Sequence, residues 1–254
     1  MRVIYIAGLS HSGSTLLSLM LNAHPEIISV GELKHLRKAG EGMPCGCGAA
    51  SLEQCEFWSS VEKALRKRTG KSLAELDCFR AYGSEREGLA ENVSLFQAVS
   101  EATGKKFVVD SSKRPGRLKY LLRLQELDVY PVHLIRDARG QVLSMKRRQG
   151  GFAKHIVRYR IVNSLIRRAI KSVPHTSIRY EDLVREPQRS LSRLLEPLGL
   201  SFSPKQMAWA DQERHLIAGN KMRWEPESLV LDERWKESLS RFQQATILSL
   251  TSWG

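Results

Sequence analysis

Gly8-Leu9-Ser10-His11-Ser12-Gly13-Ser14-Thr15 is the stretch from which the fold is read. It follows the apolar run Val3-Ile4-Tyr5-Ile6-Ala7 and precedes Leu16-Leu17-Ser18-Leu19-Met20-Leu21. The order is strand, glycine loop, helix. Backbone N–H groups and the positive end of a helix then converge on one point, which suits a phosphate group. Gly8 and Gly13 permit the tight turn and a close backbone approach. Ser14 and Thr15 add hydroxyl donors. The stretch nearly fits the nucleotide-binding pattern G-x-x-x-x-G-K-[ST], but Ser14 stands where a lysine would grip the terminal phosphates of ATP or GTP. That points to an anion with less charge beyond its first phosphate. An ordinary strand-to-helix turn uses the same residues, and a short pattern alone does not separate the two.

Outward from the loop, strand and helix alternate. Ile27-Ile28-Ser29-Val30 reads as a strand ending at Gly31-Glu32, and Phe107-Val108-Val109 as one ending at Asp110-Ser111-Ser112-Lys113. Tyr130 to Ile135 ends at Arg136-Asp137, and Thr176-Ser177-Ile178 ends at Arg179-Tyr180-Glu181-Asp182. Short apolar strands between helical stretches predict an α/β fold: a P-loop-type parallel sheet of about five strands flanked by helices. Leu191, Leu194, Leu195 and Leu198 form a one-face helical stripe after Pro187, and Leu118, Leu121, Leu122 and Leu127 another after Pro115. Ala138 to Arg148 and Lys154 to Lys171 also read as helices. Residues 36–105 have helical pieces and no strong strand, which predicts a helical insertion within a single domain over 1–254. Residues 203–234 read as irregular, and a closing helix is expected from Trp235.

The 254 residues carry a formal net charge of +13 and 42% hydrophobic residues, which fits a soluble globular protein with anionic partners. No stretch is apolar enough to span a bilayer and the N-terminus lacks a leader pattern, so the expected location is cytoplasmic.

Each strand ends in a charged or hydroxyl-bearing cluster, and open parallel sheets bind ligands outside the carboxyl ends of their strands. The glycine loop, Glu32, Ser111-Ser112-Lys113, Arg136 and Tyr180 are therefore expected in one cleft. Arg136 ends a strand, Ser144 lies about two turns into the following helix, and Arg148 is one turn beyond on the same face. Such a set can fork around a second phosphate, although Arg136 can equally pair with its neighbour Asp137. Glu32 can serve as a general base or stand as a solvated loop glutamate. Lys113 can stabilise charge developing on a transferred group or lie on the surface. His24 and His35 fit packing or capping better than chemistry, whereas His11 lies within the loop itself.

At these residues the chain resembles the PAPS-dependent sulfotransferases, PAPS being 3′-phosphoadenosine 5′-phosphosulfate. Ser10-His11-Ser12-Gly13-Ser14-Thr15 is similar to that family's 5′-phosphosulfate loop. Leu134-Ile135-Arg136-Asp137-Ala138-Arg139-Gly140-Gln141-Val142-Leu143-Ser144 is similar to its 3′-phosphate motif. Ala23-His24-Pro25 followed by Gly31-Glu32 resembles the compact bacterial and tyrosylprotein branches. The resemblance implies sulfuryl transfer from PAPS to an acceptor hydroxyl without a metal. It implies Glu32 as the base and Lys113 as the lysine that stabilises the sulfuryl transition state, together with His11. Arg136, Ser144 and Arg148 would hold the 3′-phosphate. Tyr180, in Arg179-Tyr180-Glu181-Asp182-Leu183, would lie near the nucleotide. Gly219-Asn220-Lys221-Met222-Arg223 resembles a late loop that closes over the cofactor, with Arg223 on a phosphate. His11 departs from the family's usual Lys or Arg. An ATP-dependent nucleotide kinase is the rival enzyme, but it leaves Ser14 unexplained. A nucleic-acid binder is the other rival, suggested by the net charge, but it leaves the strand-end clusters unexplained, so no nucleic-acid partner is expected. The acceptor is not readable.

Cys45, Cys47 and Cys55 fall within eleven residues, with Cys78 apart. A zinc knuckle completed by His35 or Cys78 competes with a disulfide and with buried thiols packed under Phe57 and Trp58. One residue between Cys45 and Cys47 is less than the usual paired-cysteine spacing, so the expectation is no metal.

Overall fold

A computed structural model of the chain describes residues 1–40, 42–76, 86–149, 151–225 and 229–252. β1 (Arg2–Gly8), β2 (Ile27–Gly31), β3 (Phe107–Lys113), β4 (Asp128–Ile135) and β5 (Thr176–Arg179) form one sheet in the order β2-β3-β1-β4-β5. Every pairing is parallel, with Arg2 opposite Phe107 on one side and Asp128 on the other. This is the expected five-stranded α/β sheet.

α1 (Ser14–Asn22) leaves the glycine loop. α2 (Leu36–Gly40), α3 (Glu56–Thr69) and α4 (Arg86–Thr103) make up the helical insertion. α5 (Pro115–Leu121) follows β3, while α6 (Ala138–Gln149) and α7 (Phe152–Ile170) join β4 to β5. α8 (Tyr180–Arg185), α9 (Pro187–Leu195), α10 (Trp235–Ser238) and α11 (Arg241–Thr251) complete the chain. The starts have local causes. Pro115 and Pro187 occupy first-turn positions, where a missing N–H costs nothing. Ser240 and Gln243 cap each other at the start of α11.

β1 is central and covered on both faces, so its residues read as a continuous apolar run. Val3, Tyr5 and Ala7 pack with the insertion, α5 and α7, whereas Ile4 and Ile6 pack with α1, α8 and α9. Each fully buried aliphatic side chain contributes about 1.5–3 kcal/mol, so these two layers fix which way the strand ends face.

Two details differ from the sequence reading. Leu127 is not on the α5 helix; successive turns at Leu121–Leu124 and Leu124–Leu127 carry it into the same core on the way into β4. The polar cluster Asp110-Ser111-Ser112-Lys113 does not merely follow β3 but belongs to it, and the strand bulges within it: Tyr5 pairs with Asp110, yet Ala7 pairs with Lys113. A bulge bends the strand and re-aims the side chain that follows it.

A strap of residues 214–224 crosses the carboxyl edge beside β2. Ile217 N donates to Val30 O at 3.0 Å, and Glu32 N donates to Ile217 O at 2.7 Å. Gly31 makes this docking possible, with φ 77° and an ideal Cβ position only 2.4 Å from Ile217 O. A side chain there meets backbone on the strap and adopts a left-handed conformation, which costs about 1–3 kcal/mol before any clash. Gly31→Ala is therefore expected to lower the melting temperature by roughly 2–4 °C for each kcal/mol lost. An unchanged melt would show that the strap is not held there.

Candidate active site

All five strands are parallel, so their carboxyl ends lie along one edge of the sheet. Gly13 adopts φ 92° as the N-cap of α1, and a Cβ on it would lie 2.4 Å from the Tyr180 ring. The glycine therefore lets Tyr180 close against the loop. His11, with φ 67°, and Lys113, with φ 69°, hold conformations that non-glycine residues adopt at a cost of about 1–3 kcal/mol. Ala218, with φ 55°, does the same just before Gly219. The strain thus gathers at the loop, at the end of β3 and on the strap.

Lys113 links two expected parts of the site. Its Nζ donates to Ser14 Oγ at 3.2 Å and is ion-paired with Glu32 Oε1. Both side chains are only 10% exposed. Lys34, two residues beyond Glu32, pairs with Glu32 Oε2 at 2.5 Å. Ser112 holds Lys34 by accepting from its backbone N at 3.0 Å. Ser112 Oγ in turn donates to Asp110 at 2.5 Å, and Asp110 accepts from Arg117 Nε at 2.7 Å. Two ammonium groups facing one carboxylate leave net positive charge in a shielded place. Burial raises the proton affinity of Glu32, but the two lysines outweigh it and hold the carboxyl below its usual range. Burial lowers the Lys113 pKa against the opposing pull of Glu32. His35 Nε2 lies 3.8 Å from Glu32, and burial together with Lys34 lowers its pKa, which favours the neutral ring.

Arg136, at the end of β4, donates from Nη1 to His11 O at 3.0 Å and from Nη2 to Asp232 Oδ2 at 2.9 Å. Its guanidinium lies 4.6 Å from the centre of the Tyr180 ring. The sequence-adjacent Asp137 pairs with Arg139 instead, at 2.6 Å. Arg136 is thus turned into the cleft. Asp232 is also bound by Arg234, and the two arginines hold its carboxyl well below the usual range, Arg234 first. A cavity of about 550 Å³ is lined by His11, Gly13, Arg136, Ser144, Tyr180 and Asn220, among others. Gln141 Nε2 ties the loop to α6 by donating to Ser10 O at 2.9 Å.

On the strap, Asn220 N donates to Thr15 Oγ1 at 3.4 Å, and Gly219 lies against the Thr15 side chain. Arg223 is 5% exposed and stacks on Trp224 at 3.8 Å. Its Nε and Nη1, like Ser12 Oγ in the loop, are buried without a hydrogen-bond partner among the described residues. Unmet buried donors are costly, so these atoms are the kind an incoming anion satisfies. Arg148 lies on α6, but its side chain is outside the described residues. His24 packs, with Nε2 on Ser201 O at 3.0 Å. Lys34 and Asp232 carry no signal in the sequence. Lys34 sits in a short helical turn after Glu32 with no motif to mark it. Asp232 lies in the irregular segment, where spacing carries no signal.

Solved structures share this fold. A sulfotransferase domain from the Synechococcus PCC 7002 olefin synthase is 19% identical, with a TM-score of 0.65, covering 100% of this chain and 94% of that one. A sulfotransferase domain from the curacin biosynthetic pathway is also 19% identical, with a TM-score of 0.62 and coverage of 100% and 98%. The sulfotransferase STF9 from Mycobacterium avium is 12% identical, with a TM-score of 0.54 and coverage of 98% and 75%. Among the described residues no helix is long and apolar enough to cross a membrane. The model of the sulfotransferase family matches residues 3–204, spanning the glycine loop, Glu32, Lys113, Arg136 and Tyr180, and the chain therefore belongs to that family.

Proposed function

We propose that the protein transfers the sulfuryl group of PAPS to an acceptor hydroxyl, with Glu32 as the general base. The observation that carries this reading is the Lys113 bridge, which touches the candidate base Glu32 and the loop hydroxyl of Ser14 at once. A transfer site needs a base on the acceptor side and a cation on the group that moves, placed together and shielded from water.

The 5′-phosphosulfate would be held by the loop from Ser10 to Thr15, with the unmet donors of Ser12 and Arg223 beside it. PAPS would supply the sulfuryl group and the phosphate leaving group. The acceptor oxygen gains the bond to sulfur, the bond from sulfur to the bridging phosphate oxygen breaks, and Glu32 takes the hydroxyl proton. Glu32 is held ionised by its lysines, so it carries no proton at neutral pH and is free to accept one. Lys113 divides its ammonium between Glu32 and the loop. As it turns to negative charge at the loop, Glu32 loses one cation and its proton affinity rises. Lys34 positions Glu32 from the other carboxylate oxygen.

Arg136 and Ser144 would hold the 3′-phosphate at the far end of the cavity, with Arg148 on the same helix. Arg136 already binds a carboxylate, that of Asp232, which supports an anion at this place. His11 would stand between the two ends, its backbone O accepting from Arg136, and Gly219 and Asn220 pack over Thr15. The kinase reading finds no support, since the cation near Ser14 comes from β3 and is shared with Glu32 rather than standing in the loop.

Incubation with PAPS labelled in its sulfur, over a panel of phenolic, sugar and alkyl hydroxyls, is expected to move label to one class. Release of γ-phosphate from ATP to the same panel, with no sulfur transfer, would overturn the reading.

A further inference from the structure

The chain contains a second constructed cluster, at the junction of the insertion and the strap. Cys45, Cys47, Cys55 and His215 bring one ligand atom each to a common point, all within 4.8 Å of one another. Cys47 Sγ lies 3.6 Å from Cys55 Sγ, and Cys55 Sγ lies 3.3 Å from His215 Nδ1. We infer that Cys45, Cys47, Cys55 and His215 form a structural zinc site that clamps the helical insertion to the strap beside Glu32.

Two of the distances between ligand atoms match the edges of a tetrahedron. Zinc bonds of about 2.3 Å to sulfur and about 2.0–2.1 Å to nitrogen place two sulfurs roughly 3.7 Å apart and a sulfur and nitrogen roughly 3.5 Å apart. The observed 3.6 Å and 3.3 Å are close to those edges. A disulfide requires about 2.05 Å between sulfurs, and all three cysteines are free. Three thiolates and an imidazole are a borderline-soft, four-coordinate set that suits zinc in a closed structural site.

The surroundings are built around the same point. His215 Nε2, the nitrogen turned away from the cysteines, lies 3.2 Å from Glu213 Oε1. A carboxylate on the outer nitrogen fixes the tautomer that leaves Nδ1 free to ligate. Phe57 stacks on the imidazole with centroids 4.7 Å apart and planes 11° from parallel. Trp58 Nε1 donates to His215 O at 2.9 Å, and Trp224 Nε1 donates to Cys45 O at 2.8 Å. Gly46 lets the two segments meet, since a Cβ there would lie 2.9 Å from Leu216 N. The chain turns at Gly48, with φ 96°, and Gly48 N donates to Cys45 O at 3.1 Å. That turn brings Cys45 and Cys47 to one side despite the single residue between them.

The sequence held three of these ligands. The fourth comes from the strap, 160 residues beyond Cys55. His35 is turned to Glu32 instead, and Cys78 lies outside the described residues. Ile217, two residues past His215, holds the backbone of Glu32. The metal would thus fix the strap where Ile217 holds the backbone of Glu32. The inference stands on the ligands and their supports alone and does not depend on the reaction.

Metal analysis of the full chain, purified without chelator, is expected to find one zinc per chain. Replacement by cobalt(II) should give the visible ligand-field bands of a tetrahedral thiolate site. Cys47→Ser, which changes the exposed ligand, should release zinc to a chelator concentration that leaves the wild type loaded. It should also lower the melting temperature only when metal is supplied to both proteins. Folded wild type with no zinc, no cobalt bands and three freely reactive thiols would overturn the inference. So would zinc held equally by Cys47→Ser, or isolation of the protein with a Cys47–Cys55 disulfide.

Discussion

Glu32→Gln is expected to bind nucleotide as the wild type does and to lose most of its turnover, by about 10²-fold or more. The amide keeps the shape of the carboxylate and still accepts a hydrogen bond from Lys113 or Lys34 through its carbonyl. It takes no proton, so the acceptor hydroxyl loses its base. The change also removes the negative partner of two shielded ammonium groups, and breaking a buried pair costs about 3–5 kcal/mol of stability. Glu32 is 8% exposed, and the side chains of its partners Lys113 and Lys34 are only 10% and 13% exposed, so the pairing is a buried one and the full range applies. Nucleotide affinity is the control that separates lost chemistry from lost structure. Single-turnover rates at saturating acceptor and nucleotide read the chemistry directly. Glu32→Asp, which keeps the charge but shortens the reach, should recover part of the rate. Unchanged turnover in Glu32→Gln would move the base to His35, whose ring lies 3.8 Å from the Glu32 carboxylate.

Arg136→Ala is expected to abolish the preference for a nucleotide carrying a 3′-phosphate. A hydrogen bond to a charged group contributes about 1.5–3 kcal/mol, which is roughly tenfold to a little over a hundredfold in affinity. The arginine also donates to His11 O at 3.0 Å, so its loss loosens the loop as well. Arg136→Lys separates these effects: it keeps a positive charge for the phosphate but cannot reach His11 O, Asp232 and the ligand in one plane. The lysine variant should retain part of the 3′-phosphate preference, and the alanine variant none. In Arg136→Ala, Asp232 keeps its pairing with Arg234, at 2.7 Å, so no isolated carboxylate is left behind.

Much of the fold and part of the site can be read from the residues themselves, for identifiable reasons. β1, β2 and β4 are short, mostly apolar runs bounded by polar clusters, and a parallel sheet covered on both faces needs that pattern. The rule that ligands lie at the carboxyl ends then gathers the glycine loop, Glu32, Lys113, Arg136 and Tyr180 without any knowledge of pairing order. What the residues do not reveal is registry and distance along the chain. The bulge that carries β3 on to Lys113 depends on how two strands pair, and Asp110-Ser111-Ser112 carries no local mark of it. Lys34 is an unremarkable lysine until Ser112 turns its backbone and Nζ toward Glu32. Asp232 faces Arg136 across 96 residues, from a segment with no periodicity. His215 is the sharpest case. Cys45, Cys47 and Cys55 stand out by spacing, but the donor that completes them arrives with the strap, and nearness in sequence points to His35 instead. Contacts that join a late irregular segment to an early insertion are set by the fold as a whole.

The central claim is that one cleft holds two phosphate-bearing ends of a nucleotide, one at the loop and the other at Arg136. Calorimetric titration of the wild-type protein with 3′,5′-adenosine bisphosphate and, separately, with 5′-AMP tests it most directly. The expected result is tighter binding of the bisphosphate by roughly tenfold or more, the effect of one charge-assisted contact. Equal affinity for the two nucleotides would contradict it.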